Sequence, residues 1–343
     1  MLVIKCALSI GTPPQKVSLI LDTGSHHTAF PCKGCTECGK VHMDDPFDVG
    51  NSGTATWTNC EECADTGRTE CKDSKCVFSQ HYAEGSSWES IQVTDTLNLG
   101  PPSSPSSISV LVTFGCHISE SGMFLQQYTD GIMGLAYNPS GVAAALTGGE
   151  TSNSFELFTI CFTPTGGALG LLTEPPPDAD YANIKEGGDG FYGVTVVRVM
   201  LGVTSIASVG GDALRAFNRN RGVVIDSGTT DTYLPKVVRG EFEEAWRRET
   251  GWEHDNEPRR IGKEEFERLP DLVFKVEGGG EIRVTASSYM DSTGNDFGVY
   301  TSRLYLEEPS GAILGSNVFM YREVSFDWTR GRVGWRDVDY CGG

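Results

Sequence analysis

Leu21-Asp22-Thr23-Gly24-Ser25 and Ile225-Asp226-Ser227-Gly228-Thr229 decide how this chain is read. Each is an apolar run ending in Asp-(Thr/Ser)-Gly. Each is followed later by an apolar-apolar-Gly segment, Gly131-Ile132-Met133-Gly134-Leu135 in the first case and Ala312-Ile313-Leu314-Gly315-Ser316 in the second. One Asp-x-Gly after a strand is an ordinary turn signal. Two copies, each with the same downstream partner, form an internal repeat and predict two related lobes. The chemistry follows from the duplication. Two carboxylates brought close cannot both ionise without strong repulsion, so they titrate as a pair and retain one proton between them. The ionised member can deprotonate a water while the protonated member polarises a carbonyl, with no metal, cofactor or covalent intermediate.

Outward from these loops, short β-branched and apolar runs broken by Gly, Pro, Asn and Ser predict an all-β fold with few helices. Examples are Val17–Leu21, Ile108–Phe114, Val194–Val199, Val223–Ile225 and Leu272–Val276. Two stretches read as helical, Gly141–Leu146 and Lys236–Thr250, the latter with Val237, Phe242 and Trp246 as its apolar stripe. Pro175-Pro176-Pro177 and the glycines after it mark 173–190 as a linker between an N-terminal lobe, 1–172, and a C-terminal lobe, 191–343.

A formal charge of −19 opposes nucleic acid as a partner, because phosphate binding needs a basic face. It suits attraction of cationic substrates, or simple solubility. No apolar run approaches the length of a membrane span, so no membrane contact is expected within this segment. No signal peptide is recognised at Met1, so the segment reads as cytosolic or as the core of a longer precursor.

The cysteines favour a precursor. There are 11, seven of them between Cys32 and Cys76. Cys32-x-x-Cys35-x-x-Cys38 and Cys60-x-x-Cys63 allow zinc ligation with His42 or His81, but a disulfide framework in an oxidising compartment is the preferred reading. The odd number leaves at least one thiol unpaired within the chain. A bond between Cys6 and Cys341, near the two termini, is a further expectation.

The chain resembles the pepsin-type aspartic proteases along nearly its whole length. The resemblance rests on the two Asp-x-Gly loops, the two apolar-apolar-Gly segments, Ile10-Gly11-Thr12-Pro13-Pro14-Gln15, and Phe326-Asp327-Trp328 with Gly331-Arg332-Val333-Gly334. It implies a two-lobed fold with the active-site cleft between lobes, Asp22 and Asp226 as the catalytic pair, polypeptides as the substrate class and no cofactor, acting as a monomer. Thr23 and Ser227 would hold the loops together, Ser25 and Thr229 would bond the outer carboxylate oxygens, and Gly24 and Gly228 complete the loops. Tyr82-Ala83-Glu84-Gly85-Ser86 is similar to the flap hairpin of that family, at about 78–92, with Tyr82 as the flap tyrosine. Ala29 stands where the family usually has a Trp, so Tyr82 is expected to lack its usual partner. His26 and His27 read as surface or packing residues.

The Cys-rich insertion at 32–76, Phe114-Gly115-Cys116 and Ile160-Cys161-Phe162 resemble the nepenthesin-like branch. His42-Met43-Asp44-Asp45-Pro46-Phe47 and Gly115-Cys116-His117 narrow this to the apicomplexan secretory-pathway proteases within it. That resemblance implies cleavage of exported proteins at Arg-x-Leu motifs, location in the endoplasmic reticulum, Golgi or outside the cell, and a membrane anchor in the full-length protein. Glu84 and Asp44 would border the Arg pocket, since Arg binding needs a carboxylate. Competing readings are a nepenthesin-like protease of broad specificity and a catalytically silent binding or inhibitor protein of the same fold.

Overall fold

The computed structural model describes residues 4–63, 69–82, 84–100, 108–147, 156–163, 166–292 and 298–341. Two compact units divide the described residues, one within Ile4–Ser154 and one within Phe155–Gly343. Strands dominate both, with a few short helices, as the all-β reading expected.

In the first unit one nine-stranded sheet carries the Asp22 loop. The strand Gln15–Asp22 is buried over its last six residues. It runs parallel to Gly131–Gly134, pairing Leu19 with Gly131 and Asp22 with Gly134. The close approach explains the glycine: a Cβ on Gly134 would stand 2.6 Å from the His27 backbone nitrogen. Strands Lys75–His81 and Ser87–Leu99 form the hairpin expected as the flap, and Ile108–Ser121 backs it.

The second unit repeats the core device. Val223–Ile225 runs parallel to Ala312–Leu314, pairing Ile225 with Leu314. A Cβ on Gly315 would stand 2.2 Å from the Asp231 carbonyl oxygen. Strand–Asp-x-Gly beside strand–Gly is therefore a structural repeat as well as a sequence repeat.

Other expectations shift. Leu157–Thr163 and Gly166–Leu172, read as first-lobe sequence, pair into a sheet with Arg322–Asp327 of the second unit. The division thus falls before these strands, at 154/155, and not at 172/173. The stretch read as a linker contains the strand Asp180–Asn183, paired with Arg332–Asp337. Its composition hid the strand, because Tyr181 gains from a distant partner, the Arg332 guanidinium 4.2 Å over its ring. Val194–Val199 is interrupted into Gly193–Val194 and Val196–Leu201.

The expected helix Gly141–Leu146 is Val142–Thr147. Lys236–Thr250 begins as a 3₁₀ turn, Lys236–Val238, and becomes α-helix at Arg239–Thr250. The tighter turn breaks the helical period, so Val237 is 52% exposed while Phe242 and Trp246 are buried. Gly251, at φ 82°, ends the helix by donating its N–H to the Arg247 carbonyl.

Five disulfides join Cys32 to Cys116, Cys35 to Cys38, Cys60 to Cys71, Cys63 to Cys76 and Cys161 to Cys341. All seven cysteines from 32 to 76 are bonded, which leaves no thiolate among them for zinc. The expected Cys6–Cys341 bond is corrected: Cys341 pairs with Cys161 on the first strand of its own unit, and Cys6 is the free thiol. The Cys161–Cys341 link spans 180 residues. It therefore stabilises by about 5 kcal/mol in the chain-entropy picture. Alkylation of the denatured, unreduced protein is expected to label one cysteine, Cys6. Label at Cys161 or Cys341 would contradict this pairing.

Candidate active site

Asp22 sits where its strand leaves the sheet, and it is 6% exposed. Its Oδ1 accepts the Gly24 N–H at 2.8 Å and its Oδ2 accepts the Ser25 hydroxyl. Asp226 is 9% exposed. Its Oδ1 accepts the Gly228 N–H at 2.9 Å and its Oδ2 accepts the Thr229 hydroxyl at 2.6 Å. Each loop thus holds its carboxylate in the same way, one oxygen on a backbone N–H two residues on and the other on a hydroxyl three residues on. Thr23 and Ser227 are buried between these anchors.

The Gly-ending strands lock both loops. Leu135 N–H donates to the Asp22 carbonyl at 2.7 Å, and Ala136 N–H to that of Ser25 at 3.0 Å. In the second unit, Ser316 N–H donates to the Thr229 carbonyl at 2.6 Å, and Asn317 N–H to that of Thr230 at 3.1 Å. A buried carboxylate fixed through both oxygens cannot rotate freely, which is what a positioned acid or base requires.

At the turn of the hairpin expected as the flap, Tyr82 N–H donates to the Ser86 carbonyl at 2.9 Å, and Gly85 N–H to the Tyr82 carbonyl at 3.0 Å. Gly85 takes φ 94°, a conformation that glycine adopts without strain. Ala83 lies outside the described residues. Burial pushes the Tyr82 phenol well above its ordinary range, and the Asp22 charge adds to this, partly offset by bonds to Trp88 and Ser25. Tyr82 therefore stays a neutral phenol beside Asp22 and Ser25.

The partner of Tyr82 is the main site feature that sequence reasoning missed. Trp88 Nε1–H donates to the Tyr82 hydroxyl at 3.2 Å. With Ala29 in place of the usual Trp, a different residue supplies the indole that holds Tyr82. The replacement comes from the opposite strand of the hairpin, six residues on. The alternation of Ser87–Leu99 gave the only sequence clue, because it turns Trp88 inward to 2% exposure.

The specificity candidates fare differently. Glu84 is exposed at the hairpin turn. Asp44 is committed: Lys16 Nζ stands 3.0 Å from its Oδ1, and the Ser18 hydroxyl donates to its Oδ2 at 2.6 Å. Burial alone would raise the Asp44 pKa, but these donors hold it below the ordinary value. Its backbone N–H donates to Asp130 at 3.0 Å.

Cys38, His117 and Glu120 place donor atoms within 4.8 Å of one another. The Cys38 sulfur is bonded to Cys35, so it offers no thiolate to a metal.

The comparisons agree with the geometry. Residues 6–173 match the family model described as Xylanase inhibitor N-terminal. Plasmepsin V of Plasmodium falciparum (isolate 3D7) is 34% identical over 182 residues, covering 52% of this chain and 30% of that protein. Aspartic protease 5 of Toxoplasma gondii is 32% identical over 193 residues, covering 49% of this chain and 20% of that protein. Nepenthesin-1 of Nepenthes gracilis is 30% identical over 253 residues, covering 68% and 54%. The chain is thus similar, over about half to two thirds of its length, to proteins named as aspartic proteases. It spans about a third or less of the length of the two apicomplexan relatives.

His27 packs edge-on against Phe78, centroids 5.2 Å apart, in keeping with a packing role. Burial, with the neighbouring His26, pushes its pKa from 6.5 down to about 4. Its folded value lies below its unfolded one, so the stability it contributes is present above about pH 6.5 and lost as pH falls towards 4. Proton NMR titration is expected to show a His27 midpoint near 4, and His27→Phe should flatten the stability slope across that window. A midpoint near 6.5 would contradict the burial.

Proposed function

We propose that the chain is an aspartic endopeptidase in which Asp22 and Asp226 work as a pair. The observation that supports this best is the duplicated loop, two buried carboxylates with the same two-donor support. The similarity to proteins named as aspartic proteases supports it independently.

The chemistry is acid–base. One carboxylate is ionised and takes a proton from a water. The other is protonated and donates to the peptide carbonyl oxygen as the water adds. Collapse of the tetrahedral adduct then delivers a proton to the leaving amine, and the pair returns to one shared proton. Thr23 and Ser227 steady the loops, and Gly24, Ser25, Gly228 and Thr229 hold the carboxylate oxygens. Tyr82 and Gly85 belong to a flap that closes over the peptide and excludes water, which strengthens every charge interaction beneath it.

For substrate, we propose secreted or exported polypeptides cut at Arg-x-Leu motifs. Glu84 supplies the exposed carboxylate for the Arg. Asp44, already tied to Lys16, adds negative charge to that side and not a bidentate contact. Five disulfides suit an oxidising compartment, the secretory pathway or outside the cell. The formal charge of −19 suits a cationic substrate.

The name of the matching family model favours one alternative, a silent binding protein. Two intact Asp-x-Gly loops weigh against it.

Cleavage of an Arg-x-Leu peptide at about pH 6 tests the proposal, set against Arg→Ala and Arg→Lys peptides, with the Asp22→Ala protein as control. Both altered peptides are expected to be cut at least about tenfold more slowly, since a missing charged hydrogen-bond partner costs 1.4 kcal/mol or more. Equal cleavage of all three would remove the Arg pocket and leave a broad-specificity protease. Activity only at strongly acidic pH would also remove it, because an Arg pocket of this kind depends on an ionised carboxylate. No cleavage of any peptide would favour the silent binding protein.

A further inference from the structure

Behind the flap, one chain of contacts, buried at its centre and half-buried at its ends, runs from the Cys-rich insertion to Tyr82. It begins at His42, whose Nδ1 lies 3.0 Å from the Thr129 carbonyl oxygen and whose Nε2 lies 3.3 Å from Glu120 Oε2. Both partners are acceptors only. Both ring nitrogens must therefore donate, and His42 is an imidazolium paired with the Glu120 carboxylate. Burial opposes that charge, but the bonds to Glu120 and Thr129 raise the His42 pKa overall.

Glu120 accepts three donors in all. The Gly39 N–H reaches Oε2 at 2.8 Å, and His117 Nδ1 lies 2.7 Å from Oε1. The side chains of His117 and Glu120 are fully buried. Burial keeps His117 neutral, so its single proton sits on Nδ1 and donates to Glu120.

His117 then meets the flap. Its ring stacks on Trp88, centroids 5.3 Å apart and planes 24° from parallel. Trp88 is the indole that holds the Tyr82 hydroxyl. Phe124 closes the group, with its ring centroid 5.4 Å from Tyr82 and 6.1 Å from His117.

The insertion is fastened to the same place through its backbone. Glu120 N–H donates to the Glu37 carbonyl at 3.0 Å. The loop from Cys35 to His42 is cross-linked at its start by the Cys35–Cys38 disulfide, and Cys116, beside His117, is bonded to Cys32. A Cβ on Gly39 would meet the Leu125 carbonyl oxygen at 2.9 Å, so the loop lies directly on the turn that carries Phe124.

We propose that the Cys-rich insertion braces the flap tyrosine, with His42, Glu120 and His117 as positioning residues that act through Trp88. None of the three touches the reacting atoms. Glu120 fixes the plane of the His117 ring, that plane fixes the indole, and the indole fixes the phenol beside Asp22. A loosened member costs rate by misplacing Tyr82, not by removing a reacting group. The proposal rests on the reading of Asp22 and Tyr82 as active-site residues.

The test compares His117→Ala, His117→Phe, Trp88→Phe and the Ala/Phe double variant. It reads kcat/KM on a cleaved peptide, the Trp88 indole N–H resonance, and Tm. His117→Ala should lower kcat/KM about tenfold per folded molecule and shift the indole resonance. His117→Phe, which restores a stacking ring, should recover most of the rate and the resonance. In the Trp88→Phe background, His117→Ala should add little, because the two residues act in series. A purely structural role would lower Tm alone, with rate and resonance unchanged, and would overturn the proposal. Multiplying rate effects in the double variant would overturn it as well. If the unmutated protein cleaves no peptide, the protease reading fails, and the indole resonance still decides the coupling. A shift with Ala but not Phe supports it, and no shift with either contradicts it.

Discussion

The structure turns on a carboxylate that ends a buried strand and is held through both oxygens. A buried, ionisable group is costly unless it is hydrogen-bonded. Asp22 meets that condition with the Gly24 N–H and the Ser25 hydroxyl, and Asp226 meets it with the Gly228 N–H and the Thr229 hydroxyl. Both loops need a neighbouring strand close enough to bond their carbonyls. That closeness excludes any side chain at Gly134 and Gly315. The parallel pairings beside each Asp, and the apolar strands that bury them, follow from this requirement.

The second requirement concerns the flap. A tyrosine beside a carboxylate must stay protonated and hold one orientation. Burial and the Asp22 charge secure the first. The indole of Trp88 secures the second, and the insertion stands behind it. The insertion looks like a disulfide-stapled appendage in sequence. In three dimensions its loop meets the root of the flap through one fully buried carboxylate, Glu120.

Much of this was legible in the sequence. The Asp-x-Gly repeat, the strands Val223–Ile225 and Leu272–Val276, and the apolar-apolar-Gly segments depend on local pattern, and local pattern is what a single sequence displays. The features that escaped depend on distant partners. Asp180–Asn183 is a strand only because Arg332–Asp337 pairs with it. Cys341 pairs with Cys161, and cysteine spacing cannot give connectivity. Trp88 replaces an indole absent at position 29 because strand alternation faces it inwards beneath Tyr82. Asp44 sits near the expected place in sequence, yet Lys16 and Ser18 occupy its carboxylate, and neither is close to it along the chain.

The central claim is that two carboxylates from repeated loops act as one unit. Steady-state hydrolysis of one peptide by Asp22→Asn, Asp226→Asn and the double variant tests it most directly. If the pair shares one proton and one task, each single variant should lose nearly all activity and the double should lose little more, since residues acting as a unit are strongly non-additive. If either single variant kept substantial activity, or if the two losses multiplied in the double, the carboxylates would be working independently and the account would be wrong.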